Sequence, residues 1–461
     1  MTLPAAAHAA ALVAAAPEPD MFEPDVLVIG GGPAGSSAAT LRARKGWRVT
    51  VPEKACHRRF PIGESLLPIN IPILERLGVL EQVRAIGMLK LGADFPAYDG
   101  HCNNFPVNRA HGASYVYPFH VTGDEFDRLP CEHARRHGAG TREPIQVEPV
   151  DFANHGAISV HARSAADAQA AVNQAFRPRY LIDASGRDAF LDGKPKLKRK
   201  NGSRHQSTAV FGHFSGALRR PAAVSNVSNV SIFRHQHGRL SMIPLRDDVI
   251  SVGAVCSPEC FKTRQGDTNV FPMRTLQSGA EAQRRMDDAT RVAPVHVIGN
   301  YAYECTCVSG PDEIMLAYAY AVPMSSSGVL LAMNSAELGA DAVGAALRTP
   351  ARERIVLREL QRRLTRGLDE FKWFIYQLIT PTMKAPFASP RNLWQTEPAV
   401  ISMLAGDMFD SKAGLRRLRV FRLIHAPTAL RIASAAARAR LRHRRQVDVA
   451  VSDATLQRGS P

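Results

Sequence analysis

Lys90 stands between Leu89 and Leu91 in a strand-like run that ends at Phe95. An ammonium among apolar neighbours is costly to bury unless it is paired or used. A partly desolvated amine has an adjustable protonation state, which suits proton donation or attack on an electrophile. A snorkelling lysine on an edge strand satisfies the same composition. The second set is Gly30, Gly32 and Gly35, in Gly-x-Gly-x-x-Gly spacing directly after the apolar run Val26 to Ile29, with Pro33 and Ala34 inside the turn. Small residues at these positions let a strand turn sharply into a helix, let backbone approach a pyrophosphate, and seat the helix on the sheet. The unpaired amides at the helix start favour an anion. Glu53, at the end of the next strand, lies at the distance where a carboxylate accepts from a ribose. Together these residues predict a dinucleotide site.

The elements around them follow from periodicity. A helix is expected over Ser36 to Lys45 and a strand over Trp47 to Val51. Glycine and proline at both ends mark Gly63 to Pro68, which carries Ser65, as a shaped loop near the carboxyl ends of the first strands. A helical pattern runs from Ile71 to Leu80. Residues 111–121 alternate as a strand, and Asp124 to His137 is helical with Asp124 as its cap. Short strands are expected at Gln146 to Val150 and Ile158 to Ala162. The apolar strand Tyr180 to Asp183 then ends in Ala184, Ser185 and Gly186, small residues suited to close backbone approach. Strands at Ala209 to Phe214, Val230 to Phe233, Leu240 to Ile243 and Val249 to Val255 read as an antiparallel sheet able to wall a pocket. Pro323 to Gly328, including Ser327, opens a helix over Val329 to Leu347, a second place where amides point at an anion. From Arg352 the chain is mainly helical, with a break around Pro381 to Pro390. The segment Cys256 to Tyr303 carries no clear pattern.

With 461 residues, 45% hydrophobic and 22% charged, the chain reads as globular and long enough for two or three domains. No stretch reaches the roughly 18 apolar residues of a membrane span. The Ala-rich start lacks the basic opening of a secretory signal and reads as a disordered leader, which points to a cytoplasmic protein. Seven cysteines are scattered; neither close pair, Cys256/Cys260 nor Cys305/Cys307, has zinc-site spacing, and neither a metal nor a disulfide is expected. Of the net charge of +16, eleven cations fall between Lys412 and Val447 with no carboxylate. Such a tail is either a solvated surface or a docking element for an acidic partner, an anionic membrane face or nucleic acid.

The chain resembles the flavin-dependent halogenases of the FAD-dependent oxidoreductase superfamily over roughly Asp25 to Ile424. The matching stretches are the glycine motif, FPIGESLLP at Phe60 to Pro68, LKLGADF at Leu89 to Phe95, DEFDRL at Asp124 to Leu129, IDASGRDAFL at Ile182 to Leu191 and SSSGVLLAM at Ser325 to Met333. The resemblance implies FAD, supplied reduced by a partner flavin reductase, with oxygen and halide as co-substrates. In that family a hypohalous acid reaches a lysine beside the substrate, and Lys90 matches that lysine. Ser327 and Gly328 map to the opening that holds halide and flavin ring, with Pro323 before it, and Ser65 maps near the tunnel or flavin. Asp183 and Gly186 belong to the flavoprotein return motif. The family's Trp-x-Trp-x-Ile-Pro corresponds to Arg239 to Pro244, which keeps Ile-Pro alone. Its Gly-Asp is replaced within Ala317 to Val322, and an arginine three residues before Phe126 is Gly123.

The expected fold class is α/β: a Rossmann-type FAD-binding domain interleaved with an antiparallel β-sheet substrate domain and a mainly helical C-terminal region. The boundaries are a leader at 1–20, the FAD-binding domain at 21–200 with a substrate-domain insertion near 90–120, the substrate domain at 201–310, a return at 311–350, helices at 351–425 and the tail at 426–461. The leading activity is halogenation of a small electron-rich aromatic, a phenol or pyrrole, free or delivered on an acyl or peptidyl carrier protein, with no nucleic acid involved. An FAD monooxygenase or reductase on the same architecture, and a degenerate flavoprotein acting as a binding module, stay open.

Overall fold

The computed structural model describes residues 19–57, 59, 63–96, 102–109, 117–148, 150–152, 158–166, 174–188, 190–193, 208–220, 226–235, 238–256, 262, 280–299, 303–304, 309–310, 313–315, 319–320, 327–378 and 422–423. One sheet runs in the order Ser309–Gly310, Glu313–Met315, Tyr180–Asp183, Val26–Ile29, Val49–Pro52, Gly140–Arg142. From Glu313–Met315 onward every neighbour is parallel, with Val28 opposite Ile182 and Val26 opposite Val49. Val26–Ile29 is buried along its whole length, as an unbroken apolar run at the centre of a parallel sheet must be. Its chain crosses through helix Pro33–Ala43, and this helix packs its small residues, Ala34, Ala38 and Ala39, against helix Ser327–Arg348. The second helix answers with Leu330, Met333, Ala336, Ala340 and Val343, all buried. Alanines on one side and larger residues on the other let two helices approach closely without voids.

The second sheet takes the order Thr290–Arg291, Thr208–Ser215, Val249–Cys256, Gly238–Pro244, Val230–His235, Gly92–Pro96, Cys102–Pro106, and His296–Gly299 also pairs with Thr208–Ser215. It is antiparallel except where Val230–His235 meets Gly92–Pro96. One face buries Leu240, Met242, Ile250, Val252 and Ala254 against Ala282 and Met286 of the segment beginning with helix Ala280–Arg285. Side chains alternate along strands, so the register puts Phe211, Gly253, Ser241 and Ile232 together on the other face. His213, on that same face, binds Glu64 and so joins the sheet to the loop that carries Ser65.

Several expectations change in detail. The helical pattern from Ile71 is two helices, Asn70–Leu77 and Leu80–Ile86, because Gly78 at φ 79° closes the first. Helix Gly123–Arg136 is entered one residue after Thr122, so Thr122 and not Asp124 holds the cap position. The strand directly after the cis Glu143–Pro144 bond is Ile145–Val147, shorter than the expected Gln146 to Val150. Of residues 111–121, only Phe119–His120 is a described strand. The patternless segment contains helix Ala280–Arg285 and strands Thr290–Arg291 and His296–Gly299. Asp20 pairs with Gln174 in a small sheet rather than ending the leader; residues 1–18 and the tail at 426–461 lie outside the described residues.

Candidate active site

The glycine turn divides its three residues between two tasks. Gly30 has φ +100°, and a Cβ there would lie 2.7 Å from Ala184 O; a Cβ on Gly35 would lie 1.8 Å from Gly30 O. Both positions are closed by the protein's own backbone. A Cβ on Gly32 meets only the flexible end of Arg59, at 3.4 Å, so this position is left small for something the fold itself does not supply. Gly32 faces a cavity of about 450 Å³ lined by Gly30, Gly32, Pro33, Ala34, Glu53, Arg59, Ala184, Ser185, Gly186 and Ala332, among others. Gly32 is the N-cap of helix Pro33–Ala43, has no side-chain cap, and is followed by no acidic residue in the first turn. First-turn amides with no acidic side chain of the helix itself beside them fit a pyrophosphate.

Glu53 and Asp183 are both buried and both act on backbone. Glu53 accepts from Gly31 N at 2.7 Å and Ala55 N at 2.9 Å while lining the cavity. Asp183 accepts from Ser185 N at 2.9 Å and Leu191 N at 2.8 Å. Burial raises its carboxyl above the usual range, and those two amides work the other way. Its described bonds therefore shape the loop from Ala184 to Phe190, and Ser185 and Gly186 meet the cavity. Pro323 lies outside the described residues. Ser327 begins the helix Ser327–Arg348, and Gly328 follows it.

Arg59 is a site residue that periodicity did not single out. Its Nε and Nη2 donate to Asp127 at 2.6 and 2.8 Å, and its Nη1 donates to Glu53 at 3.1 Å. Burial opposes its charge, but Asp127 and Glu53 outweigh that and hold the guanidinium above its ordinary value. A cation fixed at the rim of the cavity suits an anionic cofactor. Arg59→Ala is expected to cost about 3 kcal/mol by leaving Asp127 buried and unpaired, measurable by urea unfolding. Adding Asp127→Asn to it should return part of that loss.

Lys90 is 6% exposed, whereas Leu89 beside it is 41% exposed, the reverse of an ordinary edge strand. The strand Met88–Leu89 pairs with Phe119–His120, and Lys90 N donates to Pro118 O, which turns the side chain inward. Nζ donates to Ser65 Oγ at 2.9 Å and Leu66 O at 3.1 Å. Burial lowers its pKa from 10.5 to about 7. His120, wholly buried, donates Nε2–H to Ser228 O at 3.0 Å; burial first and the Lys90 charge second push it well below the ordinary histidine value, so it stays neutral beside the lysine. The loop bearing Ser65 reaches the cavity side, because a Cβ on Gly63 would touch Val329 at 3.3 Å, three residues before the cavity-lining Ala332.

A lowered lysine pKa means that the unfolded chain holds more protons than the folded one between about 7 and 10.5. The destabilisation is complete below the folded value and is relieved as pH rises toward 10.5. Lys90→Met should therefore raise the unfolding free energy at pH 6 by a few kcal/mol, on the order of 1–4, and the gain should shrink by pH 10. A thermal melt series across that range measures it.

A parallel sheet with a phosphate-receiving glycine turn, closed by the loop after a third strand, defines a nucleotide-cofactor flavoprotein fold. Residues 23–291 match the family described as FAD binding domain, more than half of the chain, and the chain belongs to that family. Its cofactor is FAD. Among curated relatives, the tryptophan 2-halogenase of Chondromyces crocatus is 32% identical over 325 residues, 69% of this chain and 60% of that protein. The chain thus spans about 60% of that relative's length. The 1H-pyrrole-2-carbonyl-(peptidyl-carrier protein) chlorinase of Pseudomonas fluorescens is 24% identical over 414 residues, 84% of this chain and 90% of that one. A flavoprotein/dehydrogenase from Cytophaga hutchinsonii shares the fold, with TM-score 0.78 at 23% identity over 89% of this chain and 99% of its own. The likeness to flavin-dependent halogenases read from the motifs is borne out by these relatives. No described helix is long and apolar enough to cross a membrane.

Proposed function

We propose that this chain is a flavin-dependent halogenase of an electron-rich aromatic of secondary metabolism, with Lys90 as the residue that delivers the halogen. The observation that carries this is the buried Lys90 amine, held by Ser65 and Leu66 O on the loop that abuts the opening of helix Ser327–Arg348. Reduced FAD, when bound, would activate oxygen, and oxygen is the oxidant that turns halide into hypohalous acid; Gly32, the first turn of its helix and Arg59 would hold its phosphates, and Ser185 and Gly186 would lie against it. A neutral Lys90 amine can take the halogen from hypohalous acid, forming N–X and releasing water. An ammonium can instead donate a hydrogen bond to the acid and polarise its O–X bond. With a pKa of about 7, both forms are populated at neutral pH. The halogen passes to an aromatic carbon, and the ring loses a proton.

The face of the second sheet that carries Phe211, Ile232 and Gly253 supplies apolar wall to such a ring, and Ser241 and His213 supply its polar groups. A second reading, FAD monooxygenase or reductase, is favoured by Arg239 and Ser241 standing where the halogenating family has tryptophans. Mass spectra of products made with added reduced FAD, with and without bromide, separate the two. A brominated product supports halogenation, and an oxygenated or reduced product in both arms overturns it.

The substrate class includes carrier-bound aromatics, a reading supported by the name of the pyrrole-carrier chlorinase and by the basic tail, which lies almost wholly outside the described residues. Eleven cations between Lys412 and Val447 should attract an acidic carrier most strongly at low salt. Truncation after Asp410 is expected to raise KM for a carrier-bound aromatic about ten-fold at low ionic strength and leave kcat alone. An unchanged KM in the folded truncation makes the tail a solvated surface.

A further inference from the structure

We propose that His57, Cys131 and Glu143 form a binding site for a borderline-soft divalent cation, zinc being the ordinary one, beneath the glycine turn. His57 is far in the chain from Cys131 and Glu143, which are themselves 12 residues apart, and no metal-site spacing links the three. The fold brings them together from the loop after strand Val49–Pro52, from helix Gly123–Arg136 and from the turn before strand Ile145–Val147. One ligand atom from each lies within 4.8 Å of the others, the one such group of three among the described residues. His57 Nδ1 is 3.0 Å from Glu143 Oε1, and Cys131 Sγ is 3.7 Å from that oxygen. Tetrahedral zinc, with bonds of about 2.0–2.3 Å, sets its ligand atoms about 3.3–3.8 Å apart. Two of the three separations lie within a few tenths of an ångström of that spacing, and a water would take the fourth position.

The surroundings match a metal site as well as the three ligands do. His57 Nε2 lies 3.3 Å from Asp127 Oδ2, and a metal-bound histidine commonly gives its remote N–H to a carboxylate that fixes tautomer and ring orientation. His57 N donates to Glu143 Oε2 at 3.1 Å, which orients the carboxylate. The side chain of Glu143 is 17% exposed and that of His57 5%, so an ion enters past Glu143. Imidazole, thiolate and carboxylate together suit zinc and its heavier congeners rather than magnesium or calcium, which take oxygen.

The charges and protons balance. A divalent ion replaces the thiol proton of Cys131, which leaves to solvent; the histidine keeps one proton, on Nε2 facing Asp127. Thiolate and carboxylate then cancel the two positive charges. Arg59, 3.4 Å from His57 Nε2, is already held by Asp127 and Glu53, so it adds little repulsion. Burial first and Glu143 second push the free thiol up to about 12; a bound dication reverses that environment, since a coordinating thiol is deprotonated outright.

This cluster lies directly against the glycine turn. A Cβ on Gly31 would lie 3.3 Å from His57 Cε1 and 3.6 Å from Cys131 Sγ, and Gly31 N is bound to Glu53. An ion here ties helix Gly123–Arg136 and the loop after Glu53 to the floor of the glycine turn, as a structural brace and not a participant in turnover.

The test uses the full chain with FAD bound, stripped with a chelator and titrated with cobalt(II) alone. The expected result is a near-ultraviolet thiolate-to-cobalt charge-transfer band that saturates at one ion per chain, with zinc displacing the cobalt. Cys131→Ser should lose the band and His57→Gln should weaken binding about 100-fold, roughly the 2.7 kcal/mol of two tenfold steps; circular dichroism and retained FAD establish that both fold. On the wild type, X-ray absorption at the zinc edge should show one sulfur among nitrogen and oxygen neighbours, independently of any variant. A band that survives Cys131→Ser, or a zinc shell without sulfur, overturns the site.

Discussion

Lys90→Ala should fold, retain FAD and consume oxygen from reduced flavin at the wild-type rate, and yield no halogenated product. The oxidising chemistry would be supplied by the cofactor, which the cavity lined by Gly32 and Ser185 would hold. Lys90 stands apart from the lining residues, on Ser65 and Leu66 O. Loss of product is expected to be a thousand-fold or more, about 4 kcal/mol of lost transition-state stabilisation at minimum. Lys90→Arg should fail as fully, because a guanidinium stays protonated near neutral pH and cannot take up halogen on a free amine. Product assays by mass spectrometry, run beside oxygen uptake, measure the separation. If Lys90→Ala keeps most of its product, the halogen reaches substrate without this amine and the oxygenase reading becomes the better one.

The second large effect is a contrast between two glycines three residues apart. Gly35→Val should give no folded protein, since its Cβ would sit 1.8 Å from Gly30 O and neither backbone can move without breaking the strand-to-helix turn. Gly32→Val should fold with an almost unchanged melting temperature, because the new Cβ meets only Arg59 Nη2, at the ordinary contact distance of 3.4 Å. It should nonetheless lose FAD, with affinity down roughly 100-fold, about 3 kcal/mol, as the new side chain fills the approach to the helix amides. Flavin absorbance after gel filtration, with circular dichroism on the same samples, reads both outcomes. Wild-type FAD retention in Gly32→Val would move the cofactor off this turn.

What the sequence determined by itself was everything whose cause is local. Val26 to Ile29 had to be a buried strand, because an unbroken apolar run leading straight into a glycine turn has few other uses, and it is buried throughout. The glycine spacing specified a strand-to-helix turn, because φ +100° at Gly30 and backbone contact at Gly35 exclude other residues. The β-rich composition of Ala209 to Phe214 and Val249 to Val255 pointed to the antiparallel pair found there. The environment of Lys90 was half legible: its apolar neighbours implied desolvation, but Ser65 Oγ as its partner depends on how a loop 25 residues away is seated.

Tertiary structure alone decided the rest, for one physical reason. Side-chain pairs across long separations depend on the paths of irregular loops, and those paths leave no periodic trace in the sequence. Arg59 meets Asp127 across 68 residues, and nothing in the loop around Arg59 announces it. The Glu53 and Asp183 carboxylates, expected at the cofactor, accept from backbone amides of nearby loops, and Glu53 from Arg59 as well, because burial demands a donor for each oxygen. The seven scattered cysteines gave no metal spacing, yet Cys131 meets His57 and Glu143 because a helix, a loop and a turn from three parts of the chain converge under Gly31.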